Sequence, residues 1–187
     1  MPVKPIKIKV PGSKSLTNRI LFLASLSDKK VAIKNIGHCD DTKYMIEGLK
    51  KIHGSNSKKP INIFTGNAGT ATRFLTAFAT LQKKTIIIDG DKRMRQRPIS
   101  ELTNALKALG AKITSKNGFL PITIHSQKLQ GGEIKLRGDI SSQYLSALLM
   151  TTPFASGNTT INIEHKLCSI PYIEMTLELY SNSESRL

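Results

Sequence analysis

Hydrophobic positions along this chain recur in a repeated helical and strand-like pattern. Three stretches place apolar residues at helical spacing directly after a loop of Gly and small polar residues: PGSKSLTNRILFLASLS over 11–27, GNAGTATRFLTAFATL over 66–81 and GDISSQYLSALLMTTP over 138–153. Each is followed by a second amphipathic stretch, DDTKYMIEGLKKIHG over 40–54, RPISELTNALKALGA over 97–111 and PYIEMTLELYSN over 171–182. Gly54 and Gly110 stand where a helix stop belongs. Between the helical stretches lie short β-branched runs at 6–10, 31–36, 61–64, 85–88, 122–125, 134–136 and 159–163, whose length and Ile content predict strands.

The pattern therefore repeats about three times, starting at Gly12, Gly66 and Gly138. A unit of this size is a βαβ module with an added hairpin. It cannot bury both faces of its own sheet, so three such units should pack together with their first helices inside. The stretches LFLASL and YLSALLM, apolar on nearly all sides, predict two of those buried helices. The third unit ends in the polar SNSESRL without a closing hairpin, which predicts a truncated third repeat.

Composition narrows the class. With 39% apolar residues in 187 the chain can build a core, and with 5% aromatics and no Trp that core is mostly aliphatic. Two cysteines, Cys39 and Cys168, exclude a disulfide scaffold and a four-cysteine zinc site and favour a reducing, cytoplasmic setting. No apolar run approaches membrane-spanning length, because Lys29 and Lys30 end the longest early one, and MPVKPIKIKVPGSK has no signal-peptide core. The expectation is a protein that is neither exported nor membrane-spanning.

Charge is the extreme feature: 28 Lys and Arg against 13 Asp and Glu give +15. Such a surplus suits small anionic ligands or nucleic acid. Most of it is spread in pairs such as Lys50-Lys51 and Lys83-Lys84; only Lys92-Arg93-Met94-Arg95-Gln96-Arg97 is dense.

The loops before the first helices carry the candidate chemistry. PGSKSLTNR offers free helix N–H groups, the hydroxyls of Ser13, Ser15 and Thr17, and the cations Lys14 and Arg19, a set suited to an anion. Helix capping by Ser13 or Ser15, with Lys14 in solvent, accounts for the same residues. It is not a Walker loop. GNAGTATR repeats the logic with Gly66, Gly69, Thr70 and Arg73, and GDISSQYLSALL offers Ser141, Ser142 and Gln143, of which capping accounts for one serine. Arg97 precedes Pro98, which suits a first helical position, and its planar fork matches carboxylate or phosphate. Asp40 and Asp41 suit a helix start. His38, His53, His125 and His165 have no metal-ligand spacing, and no Ser-His-Asp or paired-carboxylate set is evident.

Together PGSKSLTNR, GNAGTATR, RMRQRPI, SSQYLSALL and SIPYIEMT resemble, in order, the enolpyruvyl transferase family in its shikimate 3-phosphate branch. The branch acting on UDP-N-acetylglucosamine differs in its substrate loops and uses a reactive loop cysteine, a setting neither Cys39 nor Cys168 shares. The resemblance implies an α/β (α+β) fold of βαβαββ units around a pseudo-threefold axis, one lobe of two. Residues 1–10 would be a crossover strand near the interlobe hinge and 11–187 the N-terminal lobe with its third unit incomplete; the C-terminal lobe would be absent. Lys14, Ser15, Arg19, Ser141, Ser142, Gln143, Ser169 and Tyr172 would bind shikimate 3-phosphate. Lys14, Gly69, Arg97 and Gln143 would face phosphoenolpyruvate, and Lys14 would be the catalytic residue present.

The implied reaction moves the enolpyruvyl group to the shikimate 5-hydroxyl and releases phosphate, with no cofactor, metal, membrane or nucleic acid. The second lobe would supply acid/base carboxylates and further arginines, leaving this chain inactive alone, and the whole enzyme would be a monomer. Phe74 and Ile170 depart from the usual Pro and Lys. The charge leaves another reading open, a non-catalytic anion- or nucleic-acid-binding domain on the same repeat.

Overall fold

The computed structural model describes residues 6–8, 10–57, 59–125 and 127–184. Helices α1 (Lys14–Ala24) and α2 (Asp40–Gly54) come first, and the middle repeat follows as β1 (Ile61–Phe64), α3 (Gly69–Ala79), β2 (Ile86–Asp89), α4 (Ser100–Ala108), β3 (Lys112–Lys116) and β4 (Phe119–His125). These strands form one sheet in the order β1-β2-β4-β3, with β1 and β2 parallel and β4 antiparallel to both neighbours. That is a complete βαβαββ unit. The last repeat contributes β5 (Gly132–Arg137), α5 (Ser142–Thr151), β6 (Thr159–Glu164) and α6 (Ile170–Glu184), with β5 and β6 a parallel pair. Among the described residues it comprises βαβα.

Helix α3 forms the centre. Every one of its residues is buried, and it packs against α1, α2, α4 and α5. Its apolar side chains meet Phe22 of α1, whose ring lies edge-on to Phe74 at 6.4 Å and to Phe78 at 5.4 Å between centroids. Two of its threonines stay satisfied in this dry setting by returning their hydroxyls to the preceding turn: Thr72 donates to the Ala68 carbonyl at 2.8 Å and Thr76 to that of Thr72 at 2.7 Å.

The structure corrects several expectations. The stretch LFLASL is not buried all round, for of its residues only Phe22 is fully enclosed while Leu21, Leu23 and Leu26 are partly so. The fully buried helix is α3 instead. The run at 31–36 is not a strand. Asn35 has φ 55°, and the backbone here lies across the start of α1, so close that a Cβ on Gly12 would come within 1.8 Å of the Asn35 carbonyl oxygen. Of 6–10, Ile6, Lys7, Ile8 and Val10 are exposed and form no strand, and Lys9 lies outside the described residues. Helix α4 begins at Ser100 rather than at Pro98, after Arg97 has closed a single 3-10 turn in extended conformation. Strand β3 escaped the sequence reading because KITSK has one buried residue, Ile113, on an edge strand.

Candidate functional site

Four helices turn their first residues toward one cavity of about 280 Å³. Lys14 and Ser15 come from α1, Thr70 from α3, Ser142 and Gln143 from α5, and Tyr172 from α6, with Ser141 and Ser169 just ahead of the last two helices. Each N-terminus carries roughly half a positive charge, so their convergence favours an anion. All eight residues expected to hold shikimate 3-phosphate line this cavity, together with Ile140 and Cys168.

Local chemistry separates the roles of these residues. Ser13 and Ser141 are helix caps, their hydroxyls accepting from the Leu16 and Gln143 amides at 3.3 Å each. Capping thus absorbs Ser13 and Ser141 but leaves Ser142 free for another partner. Ser169 has φ 52°, an unusual conformation for a residue with a side chain, at the lip of the cavity.

Arg19 is not an exposed cation waiting for a ligand. It is 2% exposed, and its Nε donates to Thr176 Oγ1 at 2.7 Å, Nη1 to the Ser15 carbonyl at 2.9 Å, and Nη2 to Ser146 Oγ at 2.8 Å and the Tyr172 carbonyl at 2.9 Å. One guanidinium therefore ties α1 to α5 and α6, holding the Ser15 and Tyr172 backbones at the cavity. Its guanidinium carbon lies 5.4 Å from the Phe74 ring centre, where the family resemblance had implied Pro. Burial pulls its ionisation down to about 10, with Tyr172 opposing.

The α3 amides are differently occupied. Asp41 Oδ1 accepts from the Thr70 amide at 2.9 Å and the Ala71 amide at 3.2 Å, while Oδ2 pairs with Lys14 Nζ at 3.3 Å. The GNAGTATR loop therefore reserves these two donors for an internal carboxylate. Sequence reading placed Asp41 only at its own helix start; nothing in one sequence links it to a helix 29 residues on.

Gly69 and Arg97 meet beside the cavity rather than in its lining. A Cβ on Gly69 would come within 2.6 Å of Arg97 Nη1. Within the cationic cluster the arginines divide: Arg95 pairs with Asp89, whose carboxyl it holds below the usual range, while Arg97 turns toward α3. Burial lowers the ionisation of Arg97, and the charge of Arg73 adds to that, with Asp41 opposing. Among the described residues no three His, Cys, Asp or Glu cluster to hold a metal, and no helix is long and apolar enough to cross a membrane.

Residues 5–182 match the family described as EPSP synthase (3-phosphoshikimate 1-carboxyvinyltransferase). Relatives named 3-phosphoshikimate 1-carboxyvinyltransferase include a chloroplastic protein of Petunia hybrida, 44% identical over 95% of this chain and 40% of its own length. Another, from Buchnera aphidicola subsp. Cinara cedri, is 42% identical over 96% of this chain and 47% of its own length. The chain spans less than half the length of these relatives. An EPSP synthase structure from Acinetobacter baumannii superposes with a TM-score of 0.76 at 22% identity, over 89% of this chain and 42% of that one, so the fold here is one lobe of that fold. On the match over nearly its whole length, the chain belongs to the EPSP synthase family.

Proposed function

We propose that this lobe binds shikimate 3-phosphate, and that within a two-lobed enzyme it serves transfer of the enolpyruvyl group of phosphoenolpyruvate to the shikimate 5-hydroxyl with release of phosphate. The observation that carries the reading is the convergence of Lys14, Ser15, Arg19, Ser141, Ser142, Gln143, Ser169 and Tyr172, from first and third repeats, on one cavity. Phosphate and hydroxyl oxygens are acceptors, and what lines the cavity is largely donors: helix amides, hydroxyls, an amide and cations.

In this reading Gly69 and Arg97 face phosphoenolpyruvate, Arg97 offsetting its anionic charge, and the absence of a side chain on Gly69 leaves the guanidinium its position. Gln143 lies between the two substrates, lining the cavity with its Nε2 donating to Thr70 Oγ1 at 3.3 Å. Lys14, at the first position of α1, reaches both and is the candidate for proton movement, its ammonium now directed by Asp41. Bringing two anions together is the electrostatic task that fixed cations and helix dipoles perform.

Residues 1–10 would cross toward the second lobe and residues from 11 onward form the substrate lobe. The second lobe would supply acid/base carboxylates, so the chain alone would bind without turnover. The whole enzyme would be monomeric and cytoplasmic, in keeping with the unpaired Cys39 and Cys168.

Calorimetric titration of shikimate 3-phosphate into the chain, with inorganic phosphate as control, tests the binding. Heat at clearly lower concentration than for phosphate is expected. Equal affinity for the two would leave an unspecific anion site and overturn the assignment.

A further inference from the structure

Arg73 is the buried cation that the cavity lining does not use. It lies inside α3, 8% exposed, with no carboxylate partner among the described residues. Its Nη1 donates to Gln143 Oε1, its guanidinium carbon lies 4.9 Å from the Tyr144 ring centre, and its buried Nε has no hydrogen-bond partner. Arg97 adds a second positive charge nearby. A buried charge without a counter-ion, and a donor without an acceptor, both work against folding. A methionine would fill similar space on Tyr144 with neither cost, so the fold alone gives no reason for arginine here.

The amide it holds does give one. Gln143 has an oxygen that only accepts and an NH2 that only donates. Arg73 takes the oxygen, which leaves the NH2 turned the other way, toward Thr70 Oγ1 at 3.3 Å and the cavity that Gln143 lines. Turned over, the amide would oppose its NH2 to a guanidinium and offer a carbonyl oxygen to an anion.

We infer that Arg73 is a positioning residue that locks the Gln143 side chain with its donors toward the ligand, so that the ligand group met there must be an acceptor such as a phosphate or carboxylate oxygen. Tyr144 extends the same restraint: its ring lies beneath Arg73, and its hydroxyl donates at 2.8 Å to the Pro98 carbonyl, one residue beyond Arg97. This inference rests on the anion-binding reading of the cavity, but its central contact is testable without any ligand.

The Gln143 side-chain NH2 can be followed by 15N–1H NMR in the 187-residue chain, as the pair of signals absent from Q143E. With Arg73 present the pair should be well dispersed and as rigid as the backbone. In R73M it should collapse toward averaged positions while the melting temperature holds or rises, and shikimate 3-phosphate should bind on the order of tenfold more weakly, the loss of about one charge-assisted hydrogen bond. Q143E should melt higher, by pairing with Arg73, yet lose that binding because its oxygens face the ligand. A rigid, unshifted Gln143 pair in folded R73M would overturn the positioning role. Should R73M not fold, R73K decides: a cation without the planar fork should loosen the pair, and an unchanged pair refutes the inference. A wild-type chain that takes up no shikimate 3-phosphate refutes the functional reading, while the amide signals still judge Arg73.

Discussion

The Thr70 amide at the start of α3 donates at 2.9 Å to Asp41 Oδ1, a carboxylate carried by the neighbouring helix α2. Helix α3 has Ala68 at its N-cap position, with no side-chain oxygen to offer, so Asp41 performs in tertiary contact what a serine usually does locally. The same carboxylate directs Lys14. Replacing Asp41 with Ala should lower stability by about 1–2 kcal/mol, read as a lower urea midpoint at unchanged slope. Asp41→Asn keeps an acceptor and should recover most of that loss. An unchanged midpoint in Asp41→Ala would remove the capping role.

In the proposed reading, Gly69 should bear on ligand choice rather than on stability. Its added Cβ would meet the far end of a flexible side chain, Arg97 Nη1 at 2.6 Å and Nη2 at 2.7 Å, so Gly69→Ala is accommodated by moving the guanidinium. Alanine at this first helical position recovers part of the roughly 1 kcal/mol that glycine costs in a helix interior, which offsets the displacement. We expect a melting temperature within a few degrees of wild type. Phosphoenolpyruvate affinity, measured in the enzyme assembled with its second lobe, should fall on the order of tenfold because a bidentate arginine contact is lost. Shikimate 3-phosphate binding should be nearly unchanged, since neither residue lines its cavity. Equal losses for both ligands would contradict this division.

In the proposed reading, Ser169 should set stability against binding. Its φ of 52° costs a residue with a Cβ on the order of 1 kcal/mol, which glycine avoids. Ser169→Gly should therefore raise the melting temperature slightly or leave it unchanged. It should also weaken shikimate 3-phosphate several-fold by removing a cavity hydroxyl. Calorimetry and thermal melts on one preparation separate the two effects, and a destabilised variant would show that the hydroxyl holds the loop instead.

Much of this arrangement was legible in the chain because it is local. The two-fold and helical periods located the six helices and five of the six strands among the described residues, and the Ser141-Ser142-Gln143 run was recognisable as holding more polar groups than one cap needs. What escaped is what tertiary contact decides. Val31, Ile33 and Ile36 have strand composition, but a strand needs a partner, and here Asn35 turns the backbone against Gly12 instead. The sequence offers Arg19 as a ligand cation and hides its role as a buried tie, because its Ser146, Thr176 and Tyr172 partners lie more than a hundred residues away. For the same reason Asp41 stood in the sequence only as a helix-start carboxylate and Arg73 only as a cation of the second loop: what each does depends on which amide it faces.

Tyr180 and Arg19 respond oppositely to alkaline pH. The Tyr180 hydroxyl donates to the Met150 carbonyl at 2.9 Å, and burial raises its ionisation above the ordinary value of 10.0. Above about pH 10 the unfolded chain then loses a proton that the folded one keeps, so this contribution to stability, complete at lower pH, declines as pH rises. Burial shifts Arg19 down from the ordinary arginine value to about 10. In the window between those values the folded chain releases a proton that the unfolded chain retains, and its contribution grows with pH. The two partly cancel in wild type. Tyr180→Phe removes only the declining contribution, so its urea midpoint should fall less between pH 9.5 and about 11 than that of wild type, while the two curves run parallel from pH 7 to about 9. Identical alkaline slopes would mean that the Tyr180 phenol titrates alike in both states, and that its burial against α5 carries no proton linkage.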